Sequence, residues 1–173
     1  MEYSYYEKYV NKRTTGRYDV TPIFENPEVF SRLLDDLMKP FEKSKIDKIA
    51  GIDALGFIIG GALSYKIGVG FVPVRKGGKL PGIKGSVLKT SFVDYTKTKK
   101  YFEMNEGSIK KGERVLIADE WVETGSQIKA AIKLIEKQGG NVVGITVLNA
   151  EKRPETSVLF EKYNLKAIKV QEK

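Results

Sequence analysis

Residues 115–127 read VLIADEWVETGSQ. Residues 115–118 are apolar without a polar break and Gly112 precedes them, which predicts a buried parallel strand. Asp119 and Glu120 follow, then a short linker over 121–123, then Thr124, Gly125 and Ser126, then an amphipathic helix. The order is strand, acidic end, tight loop, helix. In open α/β sheets, ligands bind at the carboxyl ends of the strands. A helix N-terminus placed there offers free backbone N–H groups and the positive end of its dipole, and both suit a phosphate. Thr124 and Ser126 add hydroxyl donors, and Gly125 lets the backbone approach closely. The two acids are placed to accept hydrogen bonds from ligand hydroxyls. Phosphate on one side and a diol on the other describe a ribose phosphate. The same pattern also serves a plain strand-to-helix join, since Ser and Thr are common N-caps.

The rest of the composition narrows the chemistry. At 173 residues, with 41% hydrophobic and 30% charged content, the chain suits one globular domain spanning 1–173. No run of 18 apolar residues is present, and the stretch MEYSYYEKYVNKR lacks an apolar signal core, so the expectation is a cytoplasmic protein with no membrane partner. The absence of cysteine excludes disulfides and thiolate chemistry. The absence of histidine leaves proton transfer to carboxylates, Lys, Tyr or the ligand itself. The net charge of +8 suits either nucleic acid or a strongly anionic small molecule. The lysines are scattered, with small clusters at 97, 99 and 100 and at 110 and 111, and neither a basic helix nor an aromatic platform is visible. That distribution argues against nucleic acid as the partner.

Around the opening stretch, strands and helices alternate. Tyr5, Tyr6 and Tyr9 fall at helical spacing and predict a short docking helix within residues 1–13. Residues 14–25 carry a Gly turn and then an extended segment ending in Thr21 and Pro22. Asn26 is a good N-cap and Pro27 suits the first helical position. Val29, Phe30, Leu33, Leu34, Leu37 and Met38 then give one apolar face, closed by Pro40. Residues 46–52 read as a strand, 53–56 as a loop, and the following small residues as a helix that packs closely on a sheet. Residues 69–76 read as a strand ending at Arg75 and Lys76, followed by a turn-rich loop with Lys79. Residues 83–111 suggest a hairpin with a polar, Lys-rich tip. Ile128, Ala131, Ile132 and Ile135 form a buried helix face that ends at Gly139 and Gly140. A buried strand over 142–149 and a more polar edge strand over 165–170 complete the pattern. Together these predict a mostly parallel twisted sheet with helices on both faces.

With its two acids and its Thr-Gly-Ser-Gln loop, the 115–127 stretch resembles the phosphoribosyl-pyrophosphate (PRPP) motif of type I phosphoribosyltransferases. Residues 70–81, GFVPVRKGGKLP, resemble the adenine-type members, as does GIDALGF at 51–57, with Asp53 where the family has Glu and Leu55 where it has Arg. The segment RYDVTP at 17–22 is similar to the family's hood over the base, with the arginine and the aromatic exchanged in order. The resemblance spans most of residues 15–148. It implies a type I phosphoribosyltransferase fold with an N-terminal hood over 1–25, a core over 46–150 and a flexible hairpin loop.

The activity it implies joins N9 of a purine to C1 of the ribose of PRPP. Adenine is the expected base, AMP and pyrophosphate the products, Mg²⁺ the cofactor carried on the ligand, and a homodimer the expected assembly. Asp119 and Glu120 would hold the ribose diol and orient hydrated Mg²⁺. Glu123, Thr124, Gly125, Ser126 and Gln127 would hold the 5′-phosphate. Asp53, Ala54, Leu55 and Gly56 would meet pyrophosphate with Arg75, Lys76 and Lys79. Arg17 and Tyr18 would contact the base, and Tyr95 and Lys97 the reacting centre from the flexible loop. Asp119, Arg75 and Glu123 are the catalytic candidates. Glu123 stands where adenine-type members have Ala and 6-oxopurine enzymes have Asp. That keeps a 6-oxopurine transferase open, beside a non-catalytic regulator that binds PRPP or a nucleotide.

Overall fold

The chain opens with three helices, α1 (Ser4–Glu7), α2 (Thr21–Glu25) and α3 (Pro27–Met38), in a computed structural model that describes residues 3–14, 18–81, 85–93 and 98–173. Asn26 caps α3, its Oδ1 accepting the Glu28 and Val29 N–H groups at 3.1 Å each, an interaction worth about 1 kcal/mol. Val29, Leu33, Leu34, Leu37 and Met38 of α3 are buried, as their spacing predicts. A 3₁₀ turn over Lys39–Phe41, with Pro40 inside it, ends the helix. Two local readings change. The docking helix is shorter than expected, leaving Tyr9 beyond its end, although Tyr6 is fully buried and its hydroxyl donates to Asp36 at 2.6 Å. Residues 21–25 are helical rather than an extended run into Thr21 and Pro22. Asp19 Oδ1 accepts both the Thr21 N–H (2.9 Å) and hydroxyl (2.8 Å), and Pro22 suits a first turn.

The sheet is built from β1 (Lys48–Ile52), β2 (Gly70–Lys76), β3 (Val87–Val93), β4 (Lys99–Asn105), β5 (Arg114–Val122), β6 (Asn141–Lys152) and β7 (Leu165–Glu172). Helix α4 (Leu55–Ile67) joins β1 to β2, α5 (Ser126–Lys137) joins β5 to β6, and α6 (Ser157–Glu161) precedes β7. The strand order is β3-β4-β2-β1-β5-β6-β7. The run from β2 to β7 is parallel, while β3 and β4 form an antiparallel hairpin attached to β2. Strand β7 lies at the edge, as its polar sequence predicts.

Side chains alternate between the two faces along each strand. Leu116 and Ala118 of β5 join one core with α1–α4, while Val115 and Ile117 join another with α5 and the hairpin. Strand β5 is longer than the sequence suggests. It continues through Trp121 and Val122, which pair with Asn149 and Ala150, so residues 121–122 are strand rather than linker. The partner strand β6 is long enough to extend the ladder past the acids.

The order of the strands positions the site. From β1 the chain crosses over α4 to β2 on one side. From β5, which lies beside β1 in parallel, it crosses over α5 to β6 on the other. The two connections diverge, leaving a crevice outside the carboxyl ends of β1 and β5, the place where open α/β sheets receive ligands.

Candidate active site

Two loops face each other in that crevice. The first follows β1, where Asp53 and Ala54 are joined by a cis peptide and α4 begins at Leu55. Leu55 and Gly56, read from sequence as loop, therefore belong to the first turn of a 13-residue helix, whose leading N–H groups lack intrahelical partners. The second follows β5. Asp119 is 5% exposed, and its Oδ1 accepts the Glu120 N–H at 2.9 Å. The two loops touch. A Cβ built on Gly56 would lie 2.7 Å from the Ala118 carbonyl oxygen and 3.1 Å from Asp119 Oδ1, so only glycine lets α4 start this close to β5.

Between them lies a cavity of about 200 Å³ lined by residues 53–55, Lys76, residues 119–121 and Gln127. It brings the expected pyrophosphate loop and the expected ribose acids into one polar space. Lys76, at the end of β2, supplies the cation. Its N–H also points at Asp53 Oδ2, at 3.4 Å. Arg75 is turned elsewhere. Its Nε lies 3.4 Å from Asp53 Oδ2 and its guanidinium stands over the Phe57 ring at 5.7 Å. Adjacent strand residues point to opposite faces, so only one of this basic pair lines the cavity. Lys79 lies in the following turn and does not line it.

A second, much smaller pocket, of about 20 Å³, is lined by residues 121–128 and shares Trp121 and Gln127 with the first. Gly125 sits at φ +73° as the N-cap of α5. The Ser126 N–H lies 3.5 Å from Thr124 Oγ1, and the Thr124 and Ser126 hydroxyls are 3.2 Å apart. Hydroxyls and free N–H groups thus converge on the start of a 12-residue helix, the geometry of an anion site. Behind the loop, Arg153 donates from Nε to Glu151 at 2.7 Å, and Lys173 reaches the same carboxylate at 3.1 Å. Hydrogen bonding to Glu151, opposed by partial burial, raises Arg153 above its ordinary value. The charges of Glu151, Glu123 and Glu155 add to that rise.

Trp121, the one tryptophan of the chain, belongs in sequence to the expected linker; in the structure it lines both pockets. Tyr18, from the N-terminal segment, meets it edge to face. The signal available in sequence was a large aromatic two residues beyond a strand-end acid. Glu103 carries no such local signal. On β4, it accepts the Gly78 N–H at 2.8 Å and pairs with Lys89 at 3.0 Å. Its burial alone would raise its carboxyl, but the Lys89 hydrogen bond and the Leu80 and Gly78 N–H groups bring it below the usual carboxylate range. Arg17, Tyr95 and Lys97 lie outside the described residues.

The phosphoribosyl transferase domain model matches residues 21–172. An adenine phosphoribosyltransferase of Dinoroseobacter shibae is 45% identical over 130 residues, which is 75% of this chain and 70% of that protein. The crystal structure of adenine phosphoribosyltransferase from Rhodothermus marinus superposes with a TM-score of 0.86 at 31% identity, covering 98% of this chain and 97% of that one. The enzyme from Saccharomyces cerevisiae, solved in complex with an imino-altritol bisphosphate and adenine, superposes at 0.80 with 29% identity, covering 96% and 98%. A crevice at the β1–β5 switch point, a Thr-Gly loop opening α5 and two acids at the end of β5 agree with these matches: the chain belongs to the phosphoribosyl transferase family, among the adenine phosphoribosyltransferases.

Proposed function

We propose that the crevice binds PRPP and adenine and makes AMP and pyrophosphate. The observation that carries this reading is the polar cavity that Asp119 and Glu120 line together with Asp53 and Lys76, with the pocket at the start of α5 adjoining it. A 5′-phosphate seats on residues 123–127. The ribose hydroxyls donate to Asp119 and Glu120. Pyrophosphate meets the N–H groups opening α4 and the cation of Lys76, with Lys79 on the neighbouring turn. Arg75, behind Asp53, adds positive potential at the same end.

In the reaction the C1–O bond to pyrophosphate breaks and its electron pair leaves with the diphosphate. The base N9 lone pair forms the new bond to C1, and the N9 proton is released, with Glu123 the carboxylate assigned to take or relay it. The protein's part is positioning and electrostatics: the fixed cations oppose the charge that develops on the leaving group. The purine lies at the Trp121 side of the cavity, where Tyr18 closes over it.

Asp53, Asp119 and Glu120 give the cavity carboxylate oxygens, hard donors that suit Mg²⁺ and its waters. No group of three acids among the described residues converges to hold an ion alone. Mg²⁺ would therefore enter on the diphosphate, with Asp119 and Glu120 orienting its waters. When bound, it neutralises charge on the leaving pyrophosphate.

A homodimer and a cytoplasmic location belong to the same proposal. Helix α4 is apolar on its outer side too, with Ile58 43% and Tyr65 92% exposed, and a second copy of the chain would cover that face. A highly charged substrate such as PRPP does not cross bilayers unaided, so enzyme and substrate share a compartment. No helix among the described residues is long and apolar enough to span a membrane. The test of the activity is incubation with Mg²⁺, PRPP and adenine, followed by mass spectrometry. AMP and pyrophosphate in equal amounts are expected, and neither should form when PRPP is replaced by ribose 5-phosphate.

A further inference from the structure

Among the described residues, the hairpin β3–β4 is joined to the parallel sheet by two residue pairs, Arg75 with Glu103 and Lys76 with Phe102. Those pairs fall at the end of β2, where the cation lining the cavity is carried. Just beyond them the chain turns through Gly77 and Gly78 towards Lys79. The Gly77 N–H donates to the Tyr101 carbonyl oxygen at 2.9 Å, extending the ladder by one bond. Past that point the turn leaves the sheet, and its next N–H groups need another acceptor.

Glu103 supplies it. The residue is 3% exposed, on a strand whose neighbours Phe102 and Met104 are core. Its Oε2 accepts the Gly78 N–H at 2.8 Å, and the Leu80 N–H approaches the same oxygen at 3.4 Å. Its Oε1 takes the Lys89 ammonium from β3 at 3.0 Å. One buried carboxylate thus binds both sides of the Lys79 turn and both strands of the hairpin. A buried charge persists only when it is paired and hydrogen-bonded, and here each oxygen has a partner. Phe102 and Met104 face the core, so by the alternation of the strand Glu103 faces the other side, where its carboxylate meets the Gly78 and Leu80 N–H groups and Lys89.

We infer that Glu103 is a positioning residue for pyrophosphate: it latches the turn carrying Lys79, and with it the Lys76 end of β2, in place at the rim of the cleft. It acts through those lysines and makes no contact with substrate. This inference rests on the proposed reading of the crevice as a PRPP site. Its consequence is selective. Loss of the latch weakens interactions at the diphosphate end and leaves the Trp121 end, across the cavity, unchanged.

The test measures pyrophosphate affinity by calorimetry in the presence of Mg²⁺, together with the KM for PRPP and for adenine, in the unsubstituted protein and in Glu103→Met, Glu103→Gln and Lys89→Met. Glu103→Met is expected to weaken pyrophosphate binding and raise the KM for PRPP about tenfold, the scale of one misplaced charge-assisted contact, with the KM for adenine unchanged. Glu103→Gln keeps an oxygen for the Gly78 N–H and is expected to recover most of the loss. Lys89→Met, a change at an exposed side chain that leaves the core intact, is expected to show a smaller loss in the same direction, and it carries the test if Glu103→Met does not fold. Unchanged pyrophosphate affinity in Glu103→Met and Lys89→Met, or equal losses for adenine and PRPP, would overturn the inference while leaving the reading of the crevice intact. Failure of the unsubstituted protein to bind pyrophosphate would overturn that reading, and the inference with it.

Discussion

Tyr18 and Trp121 meet edge to face, with ring centroids 6.3 Å apart and planes at 77°. One comes from the N-terminal segment and the other from the end of the central strand β5, so the contact ties that segment to the end of the strand. Tyr18 remains 46% exposed, which leaves an aromatic surface open to a planar ligand. Stacking of a base on an aromatic side chain contributes about 1–3 kcal/mol. Trp121→Ala is therefore expected to raise the KM for adenine by about tenfold or more while changing the KM for PRPP less than threefold, and Tyr18→Ala to do the same more weakly. Steady-state kinetics with each substrate varied in turn check this. A larger effect on PRPP than on adenine would place the base elsewhere.

Gly56 tests how closely the two loops must approach. A methyl group there meets the Ala118 carbonyl oxygen at 2.7 Å and the Asp119 Cα at 3.4 Å, both backbone atoms with little room to yield. Gly56→Ala is expected to cost about 1–3 kcal/mol of stability and to raise the KM for PRPP, because α4 can relieve the clash only by moving away from Asp119. A thermal melt and a PRPP titration read the two effects. A variant with the original Tm and KM would show that the loops are not held at this distance.

How far the sequence reads correctly depends on how local each signal is. The end of β5, the two acids, the Thr-Gly loop and the start of α5 are consecutive, and the structure keeps them in that order. The meeting of Asp53 with Asp119 was also legible, since both follow buried parallel runs and such runs release their ligands at one edge of a sheet. Resemblance supplied the rest of that pairing. Glu103 was not legible, because its partners at Gly78 and Leu80 are set by an antiparallel register across 25 and 23 residues. Trp121 looks like linker in sequence because the ladder to β6 outruns the apolar stretch that marks the strand. The direction of Arg75 was hidden for a related reason. Two consecutive cations at a strand end look alike in sequence, but the pleat sends them to opposite faces.

Glu123 opens the loop before α5 and lies in the field of Arg153, which Glu151 anchors. Glu123→Ala is expected to change base preference or turnover more than PRPP binding. Rates with adenine, hypoxanthine and guanine, set beside the PRPP dissociation constant, give the comparison. Equal activity on every base would contradict it.

Asp47 and Arg114 join the start of β1 to the start of β5, far from the cleft. Asp47 Oδ2 accepts both the Arg114 N–H and Nε at 2.8 Å, and Oδ1 accepts from Nη2 at 2.6 Å. Hydrogen bonds from the Arg114 side chain, then from its backbone, hold Asp47 well below the usual carboxylate range. A carboxylate depressed in the folded state stabilises the protein above its unfolded pKa of about 3.9 and loses that contribution as pH falls below it. Asp47→Asn is therefore expected to melt at a lower temperature than the unsubstituted protein at pH 7, with the gap narrowing as pH drops below about 4. A gap that stays constant down to pH 2 would show that the charge is not what stabilises this join. Activity at pH 7 is expected to be unchanged.

The most direct test of the central claim is a competition. The protein is given Mg²⁺ and PRPP with adenine, hypoxanthine, guanine, xanthine and the pyrimidine bases together, and the nucleotides formed are counted by mass spectrometry. AMP as the dominant product, with pyrophosphate in equal amount, is the predicted result. IMP, GMP or XMP in its place would contradict the assignment of adenine and make Glu123 the residue that selects the base. No nucleotide at all, from a protein that still binds PRPP, would contradict catalysis itself.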